Sequence, residues 1–168
     1  MISEALTREI NEQIKFELYS AYMYLAMSAD CSDRNLTGFA HWLTQQAEEE
    51  VAHAMRFYHF LLERGARVEL MAIDQPPHQF GSPLEIMEKS LEHERFVTGR
   101  INGLYKLAVS EGDYPAQVLL QWFVTEQVEE ESSIGEIVER MRMFGVEGPA
   151  LLMLDTQLGS RPAEDGEE

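Results

Sequence analysis

Apolar residues recur every three or four positions along most of the chain, the spacing that places them on one face of an α-helix. In the first such stretch, which holds no Gly or Pro, they are Leu6, Ile10, Ile14, Leu18, Ala21 and Leu25. The pattern predicts four long helices, over residues 3–30, 35–65, 82–112 and 113–145. Polar residues occupy the other positions, so each helix can give one face to a shared core.

Capping residues stand at the expected starts of three of these helices. The sequence Ser82-Pro83-Leu84-Glu85 combines a capping Ser, a Pro at the first helical position and a Glu that can complete a capping box. Asp113 is placed to cap the fourth helix, and Asn35 is placed to cap the second. We therefore expect helices to begin at these three points.

The stretch from residue 65 to residue 81 has no apolar period. Pro76 and Pro77 exclude a helix there, so the stretch is a connection between the second and third helices. It is long for a loop, and a connection of this length lets the two helices run parallel because it returns the chain along the bundle. The expected fold class is all-α, a four-helix bundle with a long crossover between helices two and three.

A short apolar segment over residues 149–159 predicts a fifth helix. A four-helix bundle has no vacant place for it, so we expect this helix to be buried against other subunits. Residues 1–160 are expected to form a single domain, and residues 161–168, which end in an acidic run, a disordered tail.

The charge and composition of the chain narrow its partners and its compartment. The formal net charge of −17 disfavours nucleic acid and anionic membrane surfaces and favours cations. No apolar run approaches the roughly 18 residues of a membrane span, and the first residues lack the pattern of a signal peptide. The single Cys31 fits a reducing compartment. We therefore expect a cytoplasmic protein with neither nucleic acid nor membrane as partner.

Potential metal ligands interrupt the apolar face of every long helix near its middle. An unpaired carboxylate in a core costs several kcal/mol unless it is protonated or bound to a cation. Only 13 Lys and Arg residues are present, and few fall on these faces. Several such groups converging in one bundle therefore predict a metal site. In chain order they are Glu17, Glu50 with His53, Glu94, and Gln127 with Glu130.

The donor set favours iron. Carboxylates bind ferrous and ferric ions and can bridge two of them, and an imidazole raises the affinity for transition metals over Mg²⁺ and Ca²⁺. Ferritin-like di-iron proteins use one Glu from each of two helices and a Glu-x-x-His pair from each of the other two. The first three helices comply, but the fourth has Gln127 and Glu130 and so lacks the second His. A dinuclear iron site is expected.

From residue 2 to residue 159 the chain resembles a non-haem bacterial ferritin, which makes the expected fold a ferritin-like four-helix bundle with a short fifth helix. The resemblance implies a ferroxidase centre with two iron ions. Around the first ion it places Glu17, Glu50, His53 and Glu94. Around the second it places Glu50, Glu94 and Glu130, with Gln127 close by.

The resemblance also assigns residues around this centre. Tyr24 is expected beside it, where the phenol can hydrogen-bond a ligand or supply an electron. A third iron site is implied at Glu49, Glu126, Glu129 and Glu130. Without the resemblance, the positions of Glu49, Glu126 and Glu129 favour ordinary solvated helix surface.

The function that the resemblance implies is iron storage. Fe(II) would be oxidised by O₂ or H₂O₂ at the dinuclear centre, and Fe(III) would be stored as a hydrous oxide in a homo-oligomeric cage of 24 subunits. Bacterioferritin fits less well, because it carries a His on the fourth helix and binds haem through a Met between subunits. Ala52 and Met55 leave that haem ligand unsupported, so no haem is expected.

Two other classes of function remain open at this point. One is a rubrerythrin-like di-iron peroxidase that stores no iron, although the chain has no rubredoxin-type pairs of Cys. The other is a helical interaction protein whose interior acidic residues are merely protonated. A protein that retains only about two iron ions per chain after oxidation would favour the peroxidase over storage. Fe(II) oxidation that is unchanged when Glu50 and His53 are replaced by Ala would favour the interaction protein.

Overall fold

The computed structural model describes residues 1–162, which form five α-helices and no strand. The helices are α1 (Glu4–Asp33), α2 (Thr37–Glu63), α3 (Pro83–Glu111), α4 (Tyr114–Phe144) and α5 (Gly148–Leu158). All five predicted helices are confirmed. Residues 163–168 of the predicted tail lie outside the described residues.

Pairs of residues between helices show the directions in which the helices run. Early residues of α1 lie beside late residues of both α2 and α3, so α1 is antiparallel to each of them and these two are parallel to one another. Helix α4 is antiparallel to α2 in the same way. The pairs are Ser3–Glu111, Ser20–His93, Glu17–Glu50, Ser28–Thr44, Gln46–Glu130 and Arg64–Asp113.

The crossover between α2 and α3 runs along α1. Near the start of α1, Asn11 donates to the carbonyl of Arg67 at 3.1 Å and accepts from the amide of Glu69 at 2.8 Å. Just beyond the other end of α1, Arg34 donates to the carbonyl of Gly81. The 30 residues of α1 span about 45 Å at 1.5 Å per residue. The predicted long crossover is therefore confirmed.

Two of the three predicted helix caps are confirmed. Ser82 and Glu85 form a complete capping box at the start of α3, and Asp113 accepts from the amide of Ala116 at 3.0 Å at the start of α4. The prediction that Asn35 caps α2 is wrong. The capping position falls on Leu36, which makes no side-chain capping bond, because Asn35 takes a left-handed conformation (φ 60°) in the turn before it.

Asp155 of α5 takes over the capping of α2. Its Oδ1 accepts from the amides of Gly38 at 2.9 Å and Phe39 at 3.0 Å, two donors that the first turn of a helix leaves without partners. The approach requires Gly at position 38, because a Cβ there would lie 1.6 Å from the carbonyl oxygen of Asp155. Helix α5 is thereby fixed to the start of α2.

The expectation that α5 finds no place on its own bundle is wrong. Leu158 is buried, and Leu151 and Leu154 pack against the bundle core. Leu152 and Met153 are exposed in the single chain. One face of the short helix is thus used within the subunit, and the predicted contact with other subunits concerns the opposite face.

The first residue of the expected disordered tail, Arg161, contacts α2. The guanidinium of Arg161 donates to Gln46 and Glu49 of α2, and the backbone carbonyl of Arg161 accepts from Gln45 at 3.4 Å. The ring of Trp42 lies 5.4 Å from the guanidinium carbon. The chain beyond α5 is therefore anchored to α2 at this point.

Buried apolar side chains form two clusters, one in each half of the bundle. One cluster contains Met27, Phe39 and Met141, and the other contains Ile10, Phe57 and Leu120. Between them lies a layer of buried polar side chains at the middle of the four long helices. None of the helices in residues 1–162 combines the length and the apolarity that a membrane span needs.

Candidate metal centre

The polar layer contains six of the residues predicted to bind iron or lie beside it. Each comes from the middle of a long helix and points inward because it keeps the helical spacing of the apolar face. All six are buried, with at most 6% of any one exposed. They are Glu17, Glu50, His53, Glu94, Gln127 and Glu130.

Glu17, Glu50 and His53 form the first group whose side-chain atoms could hold a metal ion. One donor atom from each lies within 4.8 Å of the others, and Nδ1 of His53 is 3.6 Å from Oε2 of Glu50. Oε2 of Glu17 and Oε2 of Glu50 are buried without a hydrogen-bond donor. A cation between these oxygens would supply the partner that no donor of the protein provides.

Burial makes the charged forms of these carboxylates costly. It raises the pKa of Glu17 to about 7, although the close carboxyl group of Glu50 and the hydrogen bond from Gln13 oppose the shift. The pKa of Glu50 is raised well above its ordinary value by burial and by repulsion from Glu94 and Glu17. Carboxylates this close need either a shared proton or a bound cation, and the second requires them to be ionised.

His53 is a neutral base in this environment. Burial, together with the smaller effect of the nearby charge of Arg56, lowers its pKa to about 4. The imidazole packs edge-on against Trp122 and Phe123, with ring centres 5.5 Å and 5.7 Å away. A neutral imidazole with a fixed ring is the form that binds transition metals.

The second group joins His53 to two residues of α4, Glu126 and Glu130. One donor atom from each lies within 4.8 Å of the others. Nε2 of His53 is 4.0 Å from Oε1 of Glu126, so the two ring nitrogens of His53 face different groups. The pKa of Glu130 is raised well above its ordinary value, first by burial and then by repulsion from Glu94 and Glu49.

Glu94 belongs to neither group in this structure. The hydroxyl of Tyr24 donates to its Oε1, and Nε2 of Gln127 lies 3.2 Å from its Oε2. Gln127 also reaches the carbonyl of Glu94 at 3.2 Å and Oγ1 of Thr98 at 3.3 Å. The structure therefore places Tyr24 and Gln127 beside the carboxylate that was expected to lie between two ions.

The four residues of the predicted third site are not gathered at one point. Glu126 and Glu130 lie together in the second group. Oε1 of Glu49 accepts from Arg161 at 2.7 Å, and Glu129 is exposed on α4. For this arrangement to hold an ion, Glu49 would have to exchange its arginine for the metal.

Sequence reasoning missed two buried amides at the centre. Gln13 donates to Oε1 of Glu17 at 2.8 Å, and Gln46 donates to Oε2 of Glu130 at the same distance. Each stands one helical turn before a predicted ligand of its own helix, Glu17 or Glu50. That spacing is the signal that could have found them.

The model of the ferritin-like domain matches residues 7–144 of the chain. The bacterial non-heme ferritin of Bacteroides fragilis is 40% identical over 161 residues, which cover 96% of this chain and 100% of the relative. The chain belongs to the ferritin family. A probable bacterial non-heme ferritin-like protein of Haemophilus influenzae is 36% identical to this ferritin over 160 residues, which cover 95% of this chain and 97% of the relative.

Solved structures agree with the family assignment. This ferritin superimposes with a TM-score of 0.95 on a structure described as a novel open pore ferritin from the hyperthermophilic archaeon Archaeoglobus fulgidus. The two are 44% identical, and the match covers 96% of this chain and 100% of the archaeal one. An engineered closed form of the same archaeal ferritin gives a TM-score of 0.94.

Proposed function

We propose that this ferritin oxidises Fe(II) at a dinuclear centre inside its helix bundle and stores the Fe(III) product as a hydrous oxide. One observation carries the proposal: Glu17 and Glu50, each with a buried carboxylate oxygen that has no hydrogen-bond partner, bring donor atoms within 4.8 Å of each other and of the neutral imidazole of His53. Family membership adds iron as the metal that such a donor set serves.

The residues divide into two binding positions in this proposal. Glu17, Glu50 and His53 hold one Fe(II), and Glu130 holds the other with help from Glu126. Glu94, on α3, would be the carboxylate that both ions share, while its oxygens keep their hydrogen bonds with Tyr24 and Gln127. Tyr24 and Gln127 then remain as donors that set its orientation.

The chemistry needs two electrons from the pair of metal ions. Each Fe(II) gives up one electron, and O₂ takes both together with two protons and leaves as H₂O₂. When H₂O₂ is the oxidant, it takes the two electrons together with two protons, its O–O bond breaks and two water molecules form. The protein contributes anionic ligands, which favour Fe(III) over Fe(II), and the distance that lets one oxidant take both electrons.

Storage requires an assembly, for which we propose a homo-oligomeric cage of 24 subunits in the cytoplasm. The exposed apolar side chains of α1 and α2 support contacts between subunits; they include Tyr22, Leu25, Val51 and Leu62. The net charge of −17 favours the accumulation of cations. We also propose a third iron position at Glu49, Glu126, Glu129 and Glu130, for which Glu49 would have to leave Arg161.

A rubrerythrin-like peroxidase without storage is not favoured. The relatives that match nearly the whole chain are ferritins, both among curated proteins and among solved structures. The chain has one Cys, the buried Cys31, and therefore no rubredoxin-type pair of Cys.

The test is oxygen-dependent Fe(II) oxidation by the variant in which Glu50 and His53 are both replaced by Ala. We expect the initial rate to fall by at least about a hundredfold, because the first metal position loses two of its three donors. The matched control replaces the exposed Glu136 and His59 by Ala, which removes the same residue types outside the centre. Equal rates in the two double variants would overturn the proposal.

A further inference from the structure

Two buried amides connect the carboxylates of the centre to charges near the surface. Gln13 and Gln46 are 0% and 1% exposed, and each donates its amide nitrogen to one carboxylate oxygen, of Glu17 and Glu130 respectively, at 2.8 Å. A buried amide also has an oxygen that requires a donor. In both cases that donor is an arginine.

The two arginines come from different parts of the chain and do the same thing. Nε of Arg100 on α3 donates to the amide oxygen of Gln13 at 3.0 Å. Nη1 of Arg161, beyond α5, donates to the amide oxygen of Gln46 at 2.5 Å. Both guanidinium groups lie near an aromatic ring: Arg100 is 4.3 Å from the ring centre of Phe16, and Arg161 lies beside Trp42. The molecule therefore contains two relays with the same order of groups: arginine, glutamine, glutamate.

The arginine determines which way the amide faces. A glutamine side chain can turn either its NH₂ group or its oxygen toward a carboxylate, and the second arrangement is repulsive. Guanidinium has only donors, so the amide oxygen must face it and the NH₂ group must face the carboxylate. Rotation of the amide would break two hydrogen bonds at once, one of them charge-assisted.

A carboxylate held in this way has one oxygen engaged and one left for a metal. On Glu17 the engaged atom is Oε1, and the other, Oε2, is buried without a hydrogen-bond partner, in a carboxylate grouped with Glu50 and His53. The relay thus supplies the orientation that a ligand needs.

We propose that Arg100 and Arg161 are positioning residues of the iron centre, which act through Gln13 and Gln46 to hold Glu17 and Glu130 ready for metal. This inference rests on the proposed function, because it assumes that both carboxylates bind metal. The segment after α5 thereby acts on the centre of the bundle, although Arg161 lies 115 residues beyond Gln46 in the chain.

Each arginine also has contacts outside its relay, and these define the form of the test. Arg100 lies 3.7 Å from Glu9, and Arg161 donates to Glu49 at 2.7 Å. A single substitution would change these contacts as well as the relay. A double-mutant cycle separates the two, since residues that act as one unit give effects that are not additive.

The experiment measures anaerobic binding of Co²⁺ by its visible absorption, with the Glu50→Ala, His53→Ala double variant as the baseline for ions bound elsewhere. We compare Arg100→Met, Gln13→Leu and both together, and then Arg161→Met, Gln46→Leu and both together. Each single variant should lower the overall constant for filling both positions by about tenfold. Each double variant within a relay should lower it by about the same factor, while the cross pair Arg100→Met, Gln46→Leu should lower it about a hundredfold.

Two controls check that the effect comes from the centre. Arg140→Met removes an exposed arginine, and Arg64→Met removes a partly buried one that pairs with Asp113 at the end of the bundle. Both should bind Co²⁺ as the wild type does, even if Arg64→Met lowers the melting temperature. Arg100→Lys should recover part of the affinity, since Lys keeps the charge and one donor.

The outcomes distinguish this inference from the proposed function. A wild-type chain that binds fewer than two Co²⁺ above the baseline would overturn the proposed function and this inference with it. Two ions in the wild type with unchanged affinity in the relay variants would overturn the inference alone. Additive losses within each relay would also overturn it, because the arginine would then not act through the glutamine.

Discussion

Glu94 illustrates how single residues prepare the centre. Its two carboxylate oxygens face the hydroxyl of Tyr24 and the amide of Gln127, so it is held by donors while burial raises its pKa above the ordinary value. The donors come from α1 and α4, on either side of α3. A carboxylate with neighbours of this kind can take either a proton or a metal without a change in the helices around it.

Removing the hydroxyl of Tyr24 tests this preparation. Tyr24→Phe keeps the buried ring and removes one donor to Glu94, so we expect the melting temperature to change little and Co²⁺ affinity to fall by about tenfold. The matched control is Tyr105→Phe, which removes a hydroxyl that accepts from Nε2 of Gln121 at 3.4 Å. Equal affinities for the two variants would contradict this role of Tyr24.

For single residues, the sequence identified the acidic side chains of the centre but not the amides beside them. Glu17, Glu50 and Glu94 were predictable because a charge on an apolar face is expensive and therefore informative. Gln13 and Gln46 carry no charge, so the same spacing drew no attention to them. Arg161 could not be predicted, because its partners lie on α2 and the chain around it reads as a polar tail.

The starts of the helices could be predicted only where the capping residues are close in the sequence. The start of α3 was predictable because Ser82 and Glu85, which form its capping box, are three residues apart. The start of α2 was not, because its amides are capped by Asp155, 117 residues later than Gly38. Periodicity predicts where helices lie, but a cap supplied by another helix requires knowledge of the packing.

Substitution of Gly38 tests the junction between α2 and α5. In Gly38→Ala the new Cβ would lie 1.6 Å from the carbonyl oxygen of Asp155, so α5 must move, and we expect a loss of roughly 1–3 kcal/mol of stability. Gly103→Ala is the matched control, since no atom lies within 4 Å of its Cβ position, and it should gain up to about 1 kcal/mol. Thermal unfolding followed by circular dichroism measures both. Equal melting temperatures would mean that α5 does not depend on this contact.

The start of α4 should give stability that depends on pH. Arg64 donates to both oxygens of Asp113, at 2.7 Å and 2.8 Å, and these bonds hold the pKa of Asp113 below its ordinary value of 3.8. Because the pKa is lowered in the folded state, the stabilisation is present above about pH 4 and is lost as the pH falls through the folded-state value.

Asp113→Asn keeps a capping side chain and removes the charge, so it should cost about 1 kcal/mol at pH 7 and less at pH 3. Asp113→Ala also removes the cap and should cost about 1 kcal/mol more at both pH values. Melting temperatures at the two pH values measure the difference. A deficit in Asp113→Asn that stays the same from pH 7 to pH 3 would show that the ion pair does not contribute.

The whole molecule combines a negative charge with a buried acidic layer between two apolar halves. The four-helix arrangement and the position of the layer could be predicted from one sequence, because both follow from periodicity within each helix. The assembly was expected from the family resemblance and not from periodicity, because a contact between copies depends on exposed side chains such as Leu152 and Met153. Oxidation can be tested on the centre alone, whereas storage is a property of the assembly.

The most direct test of the account measures particle mass and iron content together. The wild-type protein and the Glu50→Ala, His53→Ala variant are supplied with excess Fe(II) in air, separated by size-exclusion chromatography with light scattering, and analysed for iron per chain. The account predicts wild-type particles of several hundred kilodaltons that hold many more iron ions than the two or three of the binding sites, and a slower gain of iron in the variant. Small oligomers that retain only about two iron ions per chain would contradict it.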